Sequence, residues 1–413
     1  MWRTLPILLM AAACSNSGLS YDNEDALGEI PPPPETVPRE DVTESPYAPP
    51  APGEQTEDPE QPPETPADPP EDPQDPPEDQ TEDPPQDPPP PPPPPASGCP
   101  AGMVCVDSFP YVESNTTTGG QAQLNGYSCA PSTNEAGSEV VYRVEVDEPG
   151  FLAVTLWGMP GGVDIDAHLL GSLDSGDCID RGHWDSGALL QPGTYYVIAD
   201  SWTDTAGMAH SGAYSIRLHL TTLTALQGDG LQPDVMEYAL TAFDQAWRAG
   251  ETSKLLYTVA DFTMPSYQRR LWTFDLANGD LLFNEFVAHG SGSGDPNNAA
   301  MVASMSNVDG SHKSSVGLMR TAETYNGSNG YSMRMDGLEP GYNNAVRSRA
   351  IVFHGADYAT QSFVNANGYL GRSWGCPAVD TAITAQLIDT IKDGSLYLSF
   401  FDDSSWLATS SYL

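Results

Sequence analysis

Between Cys99 and Leu223 apolar and polar residues alternate with a period of two in four runs: Val140-Val-Tyr-Arg-Val-Glu-Val146, Phe151-Leu-Ala-Val-Thr-Leu156, Gly193-Thr-Tyr-Tyr-Val-Ile-Ala199 and Ala213-Tyr-Ser-Ile-Arg-Leu-His-Leu220. Successive side chains of a strand face opposite sides, so such runs bury one face and wet the other. The Asp-Glu-Pro-Gly and Gln-Pro-Gly sequences between them are turn formers, and the segment is expected to be an antiparallel β-sandwich. The period then changes. Val235, Tyr238, Ala239, Ala242, Phe243, Ala246 and Trp247 fall at helical spacing, with Asp234 as the expected cap and Gly250 as the stop. Beyond it, 254–260, a hairpin of 270–276 and 281–287 around Asn278-Gly279, Met333–Met335, 350–353 and 396–401 are expected strands, and 380–392 a second amphipathic helix. The predicted fold class is mainly β: an accessory sandwich over 98–223, then a β-sandwich with flanking helices over 224–413.

Upstream the alternation disappears. From Pro31 to Pro95 the chain repeats Pro-Pro with Glu-Asp or Gln-Asp. Proline fixes φ and lacks an N–H, and neighbouring carboxylates repel, so residues 14–97 are expected to be a disordered, extended linker. At ~3.1 Å per residue its reach is on the order of 200 Å. The net charge of −41 excludes nucleic acid as a partner, and about half of it belongs to this linker. Before the linker, Met1-Trp-Arg3 and the run Leu5–Ala13 are too short to span a bilayer and fit a signal peptide over 1–13. Small residues followed by Cys14 resemble a bacterial lipoprotein signal, and Ser15 resembles those sent to the outer membrane of a Gram-negative cell. The resemblance implies lipidation of Cys14, with the membrane reached by a lipid anchor only.

Cysteine usage agrees with export. Setting aside Cys14 and Cys376 leaves Cys99, Cys105, Cys129 and Cys178, an even set in one region. Three pairings are open; proximity favours Cys99 with Cys105 and Cys129 with Cys178. Asp164 and Asp166 make a thin ligand set for calcium, and His168, His183, His210 and His219 lack metal spacing, so they are expected to be loop and surface residues. No metal or cofactor is predicted.

Chemistry concentrates near the C-terminus. His354 ends an apolar run and precedes Gly355, and Cys376 follows Arg372-Ser373-Trp374-Gly375. A thiol left unpaired in an exported chain, with an imidazole shortly before it, suits nucleophilic acyl transfer. Gly375 would let a carbonyl approach the backbone, whose N–H groups are candidates for an oxyanion hole. A nearby basic group is expected to lower the thiol's pKa.

From about Asp261 to Val379 the chain resembles the murein L,D-transpeptidase catalytic-domain family, a branch of the YkuD-type cysteine transpeptidases. The matching residues are Val287-Ala-His289-Gly290 with Ser293-Gly294, Ser306-Asn307, Gly310-Ser311, Ser314-Ser-Val-Gly317, Tyr325-Asn-Gly327, Gly337-Leu338, Arg349-Ala-Ile-Val-Phe-His354 and Gly371-Arg-Ser-Trp-Gly-Cys-Pro-Ala378. The resemblance implies Cys376 as nucleophile, His354 as base, and a carbonyl near Ser373 to Gly375 orienting the ring. It implies cleavage of a peptidoglycan stem after its third residue, release of D-alanine, and a 3-3 cross-link when a neighbouring amine resolves the thioester. With water as acceptor the outcome is carboxypeptidase action or hydrolysis of a lipoprotein–peptidoglycan link; an idle centre leaves a wall-binding tether. His289, Arg372, Trp374 and Gly355 are the expected substrate-binding residues. Two departures stand out: Trp374 replaces the histidine of the family's box, and the arginine usual after the cysteine is missing from Cys376-Pro-Ala-Val379. Separately, Gly162-Val-Asp-Ile-Asp166, Gln191-Pro-Gly-Thr-Tyr-Tyr196 and Gly212-Ala-Tyr-Ser-Ile216 resemble the bacterial pre-peptidase C-terminal domain. That resemblance implies a non-catalytic module contacting envelope proteins or glycans.

Overall fold

The computed structural model describes residues 98–413. The expected signal peptide, Cys14 and the linker lie outside these residues. Among the described residues no helix is long and apolar enough to cross a membrane.

The first half holds β1 (Met103–Val106), β2 (Tyr111–Thr116), β3 (Glu139–Val146), β4 (Gly150–Trp157), β5 (Ile165–Leu170), β6 (Cys178–Gly182), β7 (Asp185–Leu190), β8 (Gly193–Ser201) and β9 (Ala213–Thr222). They form two sheets, ordered β1-β3-β8-β5-β6 and β2-β9-β4-β7. Pairing is antiparallel throughout except between β1 and β3, which run parallel. The inner faces close on Tyr142, Val144, Leu152, Val154, Ile216 and Leu218, all buried. These are the inward positions of the alternating runs, as the period of two requires. Cys99 is bonded to Cys105 and Cys129 to Cys178.

Two helices follow, α1 (Leu223–Gly228) and α2 (Pro233–Arg248). Gln232, not Asp234, occupies the N-cap position of α2, because Pro233 takes the first helical position, where a missing N–H costs nothing. Asp234 thus lies within the first turn, where its charge faces the positive end of the helix. The second half holds β10 (Leu256–Asp261), β11 (Leu271–Asp275), β12 (Asp280–Glu285), β13 (Gly317–Gly327), β14 (Gly330–Gly337), β15 (Val352–Gly355), β16 (Ala378–Val379) and β17 (Leu396–Phe400). They make one eight-stranded sheet in the order β12-β11-β10-β17-β13-β14-β15-β16. Three helices accompany it: α3 (Gln361–Asn367), α4 (Thr381–Ile391), capped by Asp380, and α5 (Ser404–Thr409).

The core does not stop at the border between the halves. Phe243 and Ala246 of α2 pack in one buried cluster with Phe151 and Ala153 of β4 and with Tyr257, Trp272 and Leu398 of the large sheet. The Phe151 and Phe243 rings meet edge to face at 5.0 Å. Polar contacts tie the same helix to the sandwich: Asp244 accepts from the Leu189 N–H at 2.7 Å, and the Trp247 indole donates to Asp180 at 2.9 Å.

Candidate active site

The last edge of the large sheet builds the site. Strand β15 carries His354 and pairs in parallel with β16, setting His354 opposite Ala378, two residues past Cys376. The His354 N–H donates to the Pro377 carbonyl at 3.3 Å, so Cys376 directly precedes the segment that pairs with β15. Cys376 and His354 both line one cavity of about 550 Å³. Among the described residues Cys376 is the only free cysteine; it is 9% exposed, and His354 is 4% exposed.

The loop that carries Cys376 is held by its own residues. The Ser373 hydroxyl donates to the Cys376 carbonyl at 2.6 Å and accepts from the Gly375 N–H at 3.1 Å. Gly375 sits at φ +120°, and a Cβ there would stand 2.6 Å from Ile351 Cδ1 and 2.7 Å from the Lys313 carbonyl oxygen. Only glycine satisfies both conditions. The Sγ of Cys376 accepts from the Val352 N–H at 3.4 Å and faces the Ala350 carbonyl at 3.8 Å. Ala350 itself is left-handed at φ 53°, an uncommon state for a residue with a Cβ. Its neighbour Arg349 fixes that turn, donating to the Ser306 and Lys313 carbonyls at 2.7 Å each and to the Ser315 hydroxyl at 2.7 Å.

His354 Nδ1 lies 2.9 Å from the Gly355 carbonyl. A carbonyl only accepts, so Nδ1 carries the proton and Nε2 is left as the basic nitrogen. This corrects the expectation of a ring-orienting carbonyl between Ser373 and Gly375. The Ser373 carbonyl is already engaged by the Ser291 N–H at 2.7 Å. Gly355 thereby supports the imidazole and is not among the residues lining the cavity; a Cβ on it would meet Thr384 Oγ1 at 2.5 Å. The oxyanion expectation is narrowed in the same way, since the Gly375 N–H is spent on Ser373 and the Ser373 N–H on the His289 carbonyl. Among the described residues no hydrogen bond joins the thiol to the imidazole.

Burial raises the Cys376 thiol above its ordinary value, outweighing the Val352 N–H and the Arg349 charge, which lower it. The expected depressed thiol is therefore not what the surroundings produce. Burial also lowers His354, against the Gly355 carbonyl, which raises it. At neutral pH both partners rest uncharged.

Of the expected substrate residues, Arg372 and Trp374 line the cavity and His289 does not. His289 is fully buried, with Nδ1 at 2.9 Å from the Arg270 guanidinium, and burial with the Arg270 charge depresses it to about 3. Its carbonyl holds the Ser373 N–H, so it orders the Cys376 loop from behind. Arg372 donates to the Ala299 carbonyl at 2.9 Å. Trp374 is 73% exposed and stacks on His312 at 4.8 Å with the rings 7° apart, forming an aromatic rim. Tyr358 and the Ser328–Asn329 turn also line the cavity without having been singled out from sequence, and so does Arg349, which was read there only as part of a matching stretch. Arg349 opens the same apolar run that ends at His354, and that position was the available signal.

Residues 227–400 match the family described as the L,D-transpeptidase catalytic domain. No curated protein matches the chain. Solved structures with similarity include an L,D-transpeptidase in complex with imipenem, 12% identical, covering 71% of this chain and all (100%) of that one with a TM-score of 0.22. The Ldtfm–avibactam carbamoyl enzyme is 16% identical, covering 42% of this chain and 65% of that one, with a TM-score of 0.22. The pre-peptidase C-terminal domain of the Bacillus anthracis collagenase is 13% identical, covering 28% of this chain and 92% of that one, with a TM-score of 0.19. On the family match, the C-terminal segment of this chain, residues 227–400, is similar to the L,D-transpeptidase catalytic domain.

Proposed function

We propose that this chain is a cysteine L,D-transpeptidase acting on peptidoglycan stem peptides, with Cys376 as nucleophile and His354 as base. The observation that carries the reading is the meeting of the free thiol and an imidazole of defined tautomer in one cavity, inside the segment the family match covers. In the first step His354 Nε2 takes the thiol proton while Sγ attacks the carbonyl of the third stem residue. The bond to D-alanine breaks, the histidine returns its proton to the departing amine, and a thioester remains. An amine of a neighbouring stem then attacks the thioester, giving a 3-3 cross-link and the free thiol. The Trp374 and Cys376 N–H groups supply the oxyanion position. A neutral resting pair means that charge separates only when substrate excludes water and the developing imidazolium and oxyanion find these partners. Arg372 takes over the substrate carboxylate in place of the arginine missing after the cysteine.

Upstream, the lipidated Cys14 and the acidic, proline-rich linker carry the catalytic segment from the outer membrane toward the wall, with the sandwich of 98–223 as a non-catalytic module. Incubation with purified muropeptides and product analysis by mass spectrometry tests the reading. Loss of D-alanine with formation of a dimer is expected for the native enzyme and neither for Cys376→Ala. Loss of D-alanine without a dimer would assign carboxypeptidase action, release of a wall-linked lipoprotein would assign the hydrolase, and binding without turnover would assign a tether.

A further inference from the structure

Strand β5 places Asp166 and His168 two residues apart, hence on one face of its sheet. The connection between β2 and β3 covers that face. Tyr127 stacks on the His168 ring at 3.7 Å with the planes 10° apart and donates to Asp200 at 2.6 Å. Glu135 of the same connection is 0% exposed, as is His168, and Asp166 is 1% exposed. One donor atom from each of Glu135, Asp166 and His168 lies within 4.8 Å of the others. Both oxygens of Glu135 and both ring nitrogens of His168 have no hydrogen-bond partner. Buried polar atoms are almost always partnered, and each exception calls for a cause. The expectation of exposed histidines is thus overturned for His168 by the covering connection.

The surrounding charges do not supply that cause. Arg181 donates to Asp166 and stands 3.9 Å from Glu135 Oε1, so one cation faces two carboxylates. His183 Nδ1 is shared between Asp166 at 3.0 Å and Asp164 at 3.2 Å. The sulfurs of Cys129 and Cys178 lie beside His168 but are bonded to each other. With Arg181 and His183 both directed at Asp166, the Glu135 oxygens and the His168 nitrogens remain unpartnered beside it, and a bound cation would satisfy them.

We propose that Glu135, Asp166 and His168 form a buried site for one divalent transition-metal ion, with zinc the ion best suited to this mixed nitrogen and oxygen set. Calcium is disfavoured, because it takes six to eight oxygens and one of the three donors is an imidazole. Ligands ~2.1 Å from zinc in a tetrahedron stand about 3.4 Å apart. His168 Nε2 and Glu135 Oε1 are separated by 3.8 Å, so a slight contraction brings them to that spacing. Burial with the adjacent Asp166 holds the Glu135 carboxyl well above the usual carboxylate range, so entry of the ion displaces one proton from this pair. The ion pins the β2–β3 connection to β5. None of its ligands lines the Cys376 cavity, so the role is structural.

The test uses the full chain, produced without a histidine tag, stripped with chelator and titrated with Zn²⁺ alone. One zinc per chain and a rise in melting temperature are expected. Glu135→Gln and His168→Gln should each weaken binding at least tenfold and abolish the thermal shift, while Asp164→Asn at the rim keeps both and D-alanine release stays unchanged. X-ray absorption of the zinc-loaded native chain should show one imidazole among oxygen ligands, a readout that does not depend on variants folding. Absence of stoichiometric uptake by the native chain, or equal uptake by the Glu135 and His168 variants, overturns the site. So does a metal-indifferent Glu135→Gln chain as stable as the native one, because glutamine mimics a carboxyl kept neutral by a shared proton.

Discussion

Burial and charge compete over the sulfur of Cys376, and burial wins. With the thiol raised and His354 lowered, the pair stays uncharged over a broad range. His354 loses its basic nitrogen to a proton only below its ordinary value of about 6.5. The acid limb of kcat/KM is therefore expected below pH 6.5, and the alkaline limb above about 8.5, where an ordinary thiol ionises. A pH profile of D-alanine release checks this; an acid limb above pH 7 contradicts it. Ser373→Ala removes two hydrogen bonds that close the nucleophile loop. A loss of ~1–3 kcal/mol in stability is expected, with kcat reduced more than KM, in denaturant titrations and steady-state assays. At this scale the sequence was informative where the chemistry is local. Ser373-Trp374-Gly375-Cys376 is one continuous stretch, His354 lies 22 residues before the cysteine, and their residue types alone suggested the roles proposed for them. The ring support was not legible, because which carbonyl faces Nδ1 depends on the direction of the backbone after β15. Arg349 was recognised as part of a motif but not as a clamp, since its acceptors lie on the distant loop from Ser306 to Ser315.

Helix α2 is the element on which the two halves depend. Its apolar stripe was readable from spacing alone, but the surfaces that cover it were not, because one comes from β4 and the other from the C-terminal sheet. Phe243→Ala is expected to cost ~3–5 kcal/mol, as large-to-small changes at fully buried aromatic sites do. Because that ring touches both halves, heat should unfold residues 98–413 in one transition, shifted as a whole in the variant. Scanning calorimetry that resolves two transitions, only one of them displaced, would contradict a shared core. Several strands escaped the sequence reading for a common reason. Every residue of β5 is buried, so its faces do not alternate. In β13 the first half is buried and the second half runs out to an exposed turn, which again hides the period of two.

Across the whole molecule, buried titratable groups pull stability in opposite directions. His168 and His289 are each depressed to about 3, so between there and pH 6.5 the unfolded chain binds the extra protons and stability falls as pH falls. Asp200 is raised to about 8 by burial, and Glu135 is raised with it, so the folded chain holds their protons and stability falls as pH rises toward that value. Below pH 6.5 the two effects offset each other; above it only the carboxyls remain. Chelator-treated protein is expected to lose ~1 kcal/mol or more per pH unit between pH 6.5 and 8, and Asp200→Asn to flatten that slope. A stability rising across this interval would contradict the assignment. The acidic, proline-rich segment carries about half of the −41 net charge, which is the feature of the whole chain most legible in its composition. The central claim is that Cys376 carries the acyl group, and intact-mass analysis of the full chain mixed with a tetrapeptide stem, followed by peptide mapping, tests it most directly. The account predicts a thioester adduct, lighter than the added stem by one D-alanine, mapping to Cys376 and absent from Cys376→Ala. Turnover by the alanine variant, or an adduct on any other residue, would contradict it.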